Sequence, residues 1–123
     1  MKKVSVLVTN KALIAPIGNT RYMFGLVNEF LKNSGNKPLF EVKLVGASQK
    51  VELDEGLYSI NVDDVLVDVN KTDLIIIPPL CGAMEPAVAS NKECVSWLRN
   101  SIKTVLKLPA CALGHFYLPK QVC

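Results

Sequence analysis

The chain has a single histidine, His115, and its four cysteines, Cys81, Cys94, Cys111 and Cys123, form neither a C-x-x-C pair nor a histidine-paired ligand spacing. A structural zinc site is therefore not expected. A disulfide framework is not needed either, because a chain of 123 residues can bury roughly 65% of its unfolded surface without staples. A reduced, cytoplasmic setting follows. Long apolar runs are missing too. After Met1-Lys2-Lys3 the stretch Val4 to Val8 stops at Thr9-Asn10-Lys11, too short for a signal h-region, and nothing could span a membrane. The net charge of +3 comes from lysines scattered along the chain and not from a basic block, so no nucleic-acid surface is read from it. Repeats and low-complexity linkers are absent, which leaves one domain.

What is there begins with Asp73-Leu74-Ile75-Ile76-Ile77-Pro78-Pro79-Leu80-Cys81-Gly82. Four large apolar residues between an aspartate and a double proline cannot extend into a helix. They read as a buried central parallel strand covered on both faces. Ligands of open α/β sheets sit beyond the carboxyl ends of strands, so Pro78 to Gly82 should lie at the mouth of any site.

Lys2 to Thr9 is β-branched and reads as a first buried strand. Asn19 or Thr20 is expected to cap a helix whose inward face is Tyr22, Met23, Leu26, Val27, Phe30 and Leu31, ended by Asn33-Ser34-Gly35-Asn36. Phe40 to Gly46 alternates and suits an edge strand. Lys50 to Leu53 and Leu57 to Ile60 flank Asp54-Glu55-Gly56, the signature of a small hairpin. Asp63 to Val69 reads as a short helix or another extended piece. Met84 to Ser90 fits one short helix, and Asn91 caps a longer one that turns Cys94, Val95, Leu98, Ile102 and Val105 inward. This order is a flavodoxin-like, doubly wound α/β domain with a mainly parallel sheet in three layers.

The block Asp73 to Pro78 with Leu80 and Gly82, followed by Asn91, Glu93 and Trp97-Leu98-Arg99, resembles the ThiJ/PfpI-like (class I glutamine amidotransferase-like) domain at the N-terminus of AraC-type transcriptional regulators. Val4, Val8 and Arg21-Tyr22-Met23-Phe24 extend the resemblance, which covers Met1 to about Thr104. It then breaks. Where the family has a strand leading into a cysteine-bearing turn, this chain reads Leu108-Pro109-Ala110-Cys111-Ala112-Leu113-Gly114-His115-Phe116-Tyr117. Codons for these residues can spell Ala-Ser-Leu-Cys-Val-Gly-Ala-Phe-Leu in a displaced frame, which is the family's missing segment. The expectation is that Val105 to Cys123 is an out-of-frame tail, that the last part of the fold is missing, and that the family's DNA-binding helix-turn-helix domain is absent.

Candidate sites follow from the residues and the resemblance together. Cys111 with His115 has the look of an activated thiol pair, but the elbow of related enzymes needs a C-x-G turn and Gly114 comes one place late. The family's enzymes also place an acid near the start of the first helix, where this chain's nearest is Glu29. No catalytic residue and no metal or other cofactor is therefore expected. Ligand contact is expected from Asn19, Thr20 and Arg21 at a helix N-terminus, and from Leu80, Cys81 and Gly82 in the loop after the central strand. Cys81 also fits a small buried hydrophobe, and Trp97 a packing or subunit contact. The function these residues imply is a non-catalytic ligand-sensing and dimerising domain of an AraC-type regulator. Its partners would be an unknown small-molecule effector and further copies of itself, with DNA reached only through the absent C-terminal domain and no membrane contact. The alternative is a stand-alone ThiJ/PfpI-type cysteine enzyme, a hydratase or a glyoxal-processing activity.

Overall fold

A computed structural model of the chain describes residues 1–80 and 84–102. Its organising strand is β1 (Lys2–Val8), in which every residue from Val4 to Val8 is buried. A strand apolar on both faces needs cover on both and a neighbour on each side. On one side β2 (Phe40–Gly46) pairs with it in parallel along its full length, from Lys2↔Phe40 to Val8↔Gly46. On the other, β6 (Leu74–Ile76) pairs through Val4, Ser5 and Val6, also in parallel. A two-residue β5 (Asp64–Val65) continues the sheet beyond β2, giving the order β5-β2-β1-β6. This is the doubly wound, all-parallel α/β arrangement expected of a flavodoxin-like fold.

Two expectations about the strands are corrected. Among the described residues the central place belongs to β1, while β6 is three residues long and has β1 as its only strand partner there. Pro78 and Pro79 cut β6 short, and Leu74 and Ile76 stay half-buried beside a fully buried Ile75. Among the described residues β2 is an edge over Phe40 to Leu44 only, since Val45 and Gly46 pair with Asp64 and Val65. The segment from Asp63 to Val69 divides between both expected forms, β5 and then one 3-10 turn over Leu66–Asp68.

Helix α1 (Ile14–Asn33) lies on the face carrying Val6 and Val8. It starts five residues before the expected cap. Leu13 is the extended N-cap residue, and Pro16 sits in the first turn, where a missing N–H leaves no hydrogen bond unmade. The expected inward face is also wrong. Ile17 is buried and Phe24, Asn28 and Leu31 are half-buried, whereas Tyr22, Met23, Leu26, Val27 and Phe30 are exposed.

The hairpin of β3 (Lys50–Leu53) and β4 (Tyr58–Asn61) forms where expected, paired from Lys50↔Asn61 to Leu53↔Tyr58. Asp54, Glu55 and Gly56 carry φ of 52°, 55° and 88°, the left-handed run that the tight turn requires. Its Val51 and Leu53 join Val8, Ala12, Ile17, Leu44 and Val62 in the first core cluster. Helices α2 (Met84–Ser90) and α3 (Lys92–Ile102) follow the expected bounds, and α3 lies on the opposite face of the sheet. There Cys94 is buried with Leu7, Val45 and Leu66, and Trp97 and Leu98 pack against them, so Trp97 is a packing residue. The expected inward Val105 lies outside the described residues.

Candidate functional site

After β1 the chain turns to the α1 face, and after β6 it turns to the α3 face. The reversal falls between the carboxyl ends of these two strands, the place where such sheets leave a crevice for ligands. The residues there are Thr9-Asn10-Lys11 from β1 and Ile77-Pro78-Pro79-Leu80 from β6.

The β1 loop is held from two sides. Leu13 N–H donates to the Pro79 carbonyl at 3.0 Å, and Ala12 and Leu80 form an isolated antiparallel bridge. Asn91, buried at the start of α3, clamps the loop from the other side. Its Oδ1 accepts the Asn10 N–H at 2.9 Å, and its Nδ2 donates to the Asn10 carbonyl at 3.0 Å. Between these anchors Lys11 is forced to φ 73°, a left-handed conformation that costs a residue with a Cβ about 1–2 kcal/mol. Strain of this kind persists only where the surroundings determine it. Thr9 has a buried Oγ1 with no hydrogen-bond partner among the described residues. A buried hydroxyl left unpaired is destabilising, which makes it a natural contact for a ligand atom.

Two clefts flank this clamp. The larger, about 550 Å³, runs between the β1 loop and the hairpin tip, with Ala12, Leu13, Ile14 and Leu53 as its apolar wall. Lys11, Glu52, Asp54, Glu55 and Tyr58 supply its polar groups. The smaller, about 400 Å³, lies between Ser48, Lys50 and Glu52 on one side and Ser90 to Cys94 on the other. Both volumes suit a small molecule. Burial pushes the Cys94 thiol upward, and the Glu93 carboxylate adds to the shift, against weaker bonding from the Ala47 and Cys94 backbone. Such a thiol stays protonated and inert. No group of three or more His, Cys, Asp or Glu side chains among the described residues could hold a metal.

The expected ligand residues that are described fall in two places, at the end of β6 and within α1. Leu80 is at the crevice, half-buried against Ala12. Asn19, Thr20 and Arg21 lie in the second turn of α1, so their N–H groups are inside the helix and offer no anion cradle. Thr20 Oγ1 donates back to the Pro16 carbonyl at 2.7 Å, and Arg21 pairs with Asp63 at 3.3 Å. Cys81, Gly82, Cys111 and His115 lie outside the described residues. Thr9, Lys11 and Asn91 went unread as site residues, although a polar Thr-Asn-Lys run directly after an apolar strand marks the strand's carboxyl end.

No helix among the described residues is long and apolar enough to cross a membrane. No family model and no curated protein matches the chain. Among solved structures it is similar to a two-domain protein with DJ-1/ThiJ/PfpI-like and ferritin-like domains from Anabaena variabilis. That match has a TM-score of 0.49 and 21% identity, covering 85% of this chain and 27% of the other. It is also similar to a candidate protease I from Bacteroides thetaiotaomicron, at TM-score 0.49 and 23% identity, covering 85% of this chain and 56% of that one. The chain thus spans about a quarter of the first and just over half of the second.

Proposed function

We propose that this chain is a cytoplasmic, non-catalytic ligand-sensing and dimerising domain of the ThiJ/PfpI-like kind that precedes the DNA-binding part of AraC-type regulators. The observation that carries the sensing role is the 550 Å³ cleft at the carboxyl end of β1. Its lining combines an apolar wall with one ammonium, three carboxylates and a phenol, groups that bind and orient a small polar effector. The regulator context rests on the sequence block from Asp73 to Arg99. In this reading DNA contact belongs to a separate helix-turn-helix domain.

Three measurements test the proposal. A thermal-shift screen of small carboxylic acids, amines and sugars at millimolar concentration should yield a compound that raises Tm, and Lys11→Ala or Tyr58→Phe should remove the effect. A screen with no positive compound defeats the sensing role. The 123 residues alone should give no salt-dependent, sequence-selective gel shift. Sequencing the source DNA beyond the codon for Asn91 should restore Ala-Ser-Leu-Cys-x-Gly-Ala-Phe on a single base change, with an open frame into helix-turn-helix sequence. Fast labelling of Cys111 at neutral pH, with an activity lost in Cys111→Ala, would instead establish the cysteine enzyme.

A further inference from the structure

Lys11, Asp54 and Glu55 are the non-glycine residues with left-handed backbone among the described residues, at φ 73°, 52° and 55°, and all of them line the 550 Å³ cleft. Such conformations are disfavoured for a residue with a Cβ and gather where the surroundings impose them, ligand clamps included. They also set where charge stands. Lys11 comes from the β1 loop on one side of the cleft, whereas Glu52, Asp54 and Glu55 come from the hairpin on the other. All four are exposed, and among the described residues none of their side chains has an ion-pair or hydrogen-bond partner. The apolar wall adjoins both signs of charge, since Ala12 follows Lys11 and Leu53 stands between Glu52 and Asp54 in the chain.

We infer that this cleft takes an ω-amino acid, a molecule with a carboxylate at one end, an ammonium at the other and a short methylene chain between them. The inference deepens the sensing half of the proposed function and rests on it. Each part of the ligand answers a part of the lining. Its carboxylate pairs with the Lys11 ammonium, its ammonium with the hairpin carboxylates, and its methylenes lie on the apolar wall. Tyr58, on the carboxylate side, adds a phenol oxygen that accepts from an ammonium and a ring face that attracts one. A diamine of the same length sets its second charge against Lys11, and a dicarboxylate sets its second among the hairpin carboxylates. Like charges brought together are penalised. Because these side chains carry three negative charges to one positive, the dicarboxylate fits worst. Glycine carries its two charges side by side and serves one wall at a time.

The test follows thermal unfolding of the 123-residue chain with 5-aminopentanoate, 1,5-diaminopentane, glutarate and glycine at matched ionic strength, each at about 10 mM because exposed charge pairs bind weakly. 5-Aminopentanoate should raise Tm about twice as much as 1,5-diaminopentane, with glutarate and glycine giving no shift. Raising the salt to about 0.5 M should remove most of the effect. Lys11→Gln should abolish the lead over the diamine. The triple variant Glu52→Gln, Asp54→Asn, Glu55→Gln should abolish the lead over glutarate, with the circular-dichroism spectrum of both variants unchanged. A larger shift from the diamine, glutarate or glycine overturns the inference, as does a lead that both folded variants retain. The wild-type ranking decides alone where a variant does not fold. If none of the four compounds acts but another in the wider screen does, the inference falls and the sensing role stands. If no compound acts at all, both fall.

Discussion

Asn91 holds the candidate site together with one carboxamide, which satisfies both the N–H and the C=O of Asn10 across 81 residues of sequence. Replacing it with leucine keeps the volume and leaves those backbone groups unpaired, at a penalty of about 2–3 kcal/mol. Urea unfolding of Asn91→Leu should show a correspondingly lower midpoint, with the loop amides of Asn10 and Lys11 losing hydrogen-exchange protection. Asp73 does a similar task at the other end of the sheet. Lys3 N–H donates to its Oδ2 at 2.8 Å while its own N–H donates to the Lys3 carbonyl at 2.8 Å, which ties the start of β6 to β1. The Lys3 N–H holds the Asp73 carboxyl below its ordinary value, helped by Lys71, Lys2 and the amino terminus against a smaller desolvation effect. A lowered pKa means that the folded state binds fewer protons than the unfolded, so this contribution is complete above the ordinary carboxylate range and is lost as pH falls through the folded value. The stability of Asp73→Asn should therefore fall less steeply than the wild type's between about pH 5 and pH 2. Cys94 gives a third residue-scale expectation. Buried and held protonated by its surroundings, it should be modified by a thiol reagent at pH 7 only at the rate of unfolding, read by peptide mass spectrometry with and without urea.

At the scale of elements, α1 shows what the sequence could and could not reveal. Its existence follows from periodicity, and its C-terminus from Ser34 and Gly35, the latter at φ 79°. Its orientation does not, because the helix is apolar on two sides and periodicity favours the larger stripe. The sheet selects the other side through Asn28. The Asn28 Oδ1 accepts the N–H groups of Leu39 and Phe40 at 3.0 Å each, and its Nδ2 donates to the Phe40 carbonyl at 2.7 Å. Phe24 stacks edge-on against Phe40 with ring centroids 4.8 Å apart. A polar side chain reads as solvent-facing in a sequence, yet here it supplies the partners that the start of an edge strand lacks. Asn28→Ala should cost about 1–3 kcal/mol, visible as a lower Tm with helix content retained at 25 °C. The hairpin, α2 and α3 were legible because Asp-Glu-Gly, the polar caps and the apolar spacing act locally. The site was less so. By its position Asn91 reads as a helix cap, while its side chain works on a loop far away in sequence, and the start of α1 is hidden because Leu13 forms no side-chain cap.

The molecule as a whole depends on how its two sheets meet, since the β3-β4 hairpin is a separate sheet with no strand pairing to β1, β2, β5 or β6 among the described residues. What joins them is side-chain packing over the end of β2. Gly46 pairs with Val8 on one side and Val65 on the other, and both Val51 of β3 and Val62 lie directly against it. A Cβ there would stand 3.1 Å from Val51 Cγ2, 3.1 Å from Val62 Cγ1 and 3.3 Å from the Val8 carbonyl oxygen. The valines have a single favoured χ1 and the Val8 oxygen belongs to the central strand, so neither side yields easily. Gly46→Ala should therefore push the hairpin off the carboxyl edge of the sheet and destabilise the fold by about 1–3 kcal/mol. Because the hairpin forms one wall of the larger cleft, through Leu53, Asp54 and Tyr58, the same variant should lose the thermal shift of any compound that binds there, although it touches none of that cleft's residues. An unchanged urea midpoint in Gly46→Ala would show that the hairpin rides loosely on the sheet. A lowered midpoint with an unaltered slope, together with loss of the ligand response, would show that packing at this one glycine sets both the stability of the fold and the shape of its binding cleft.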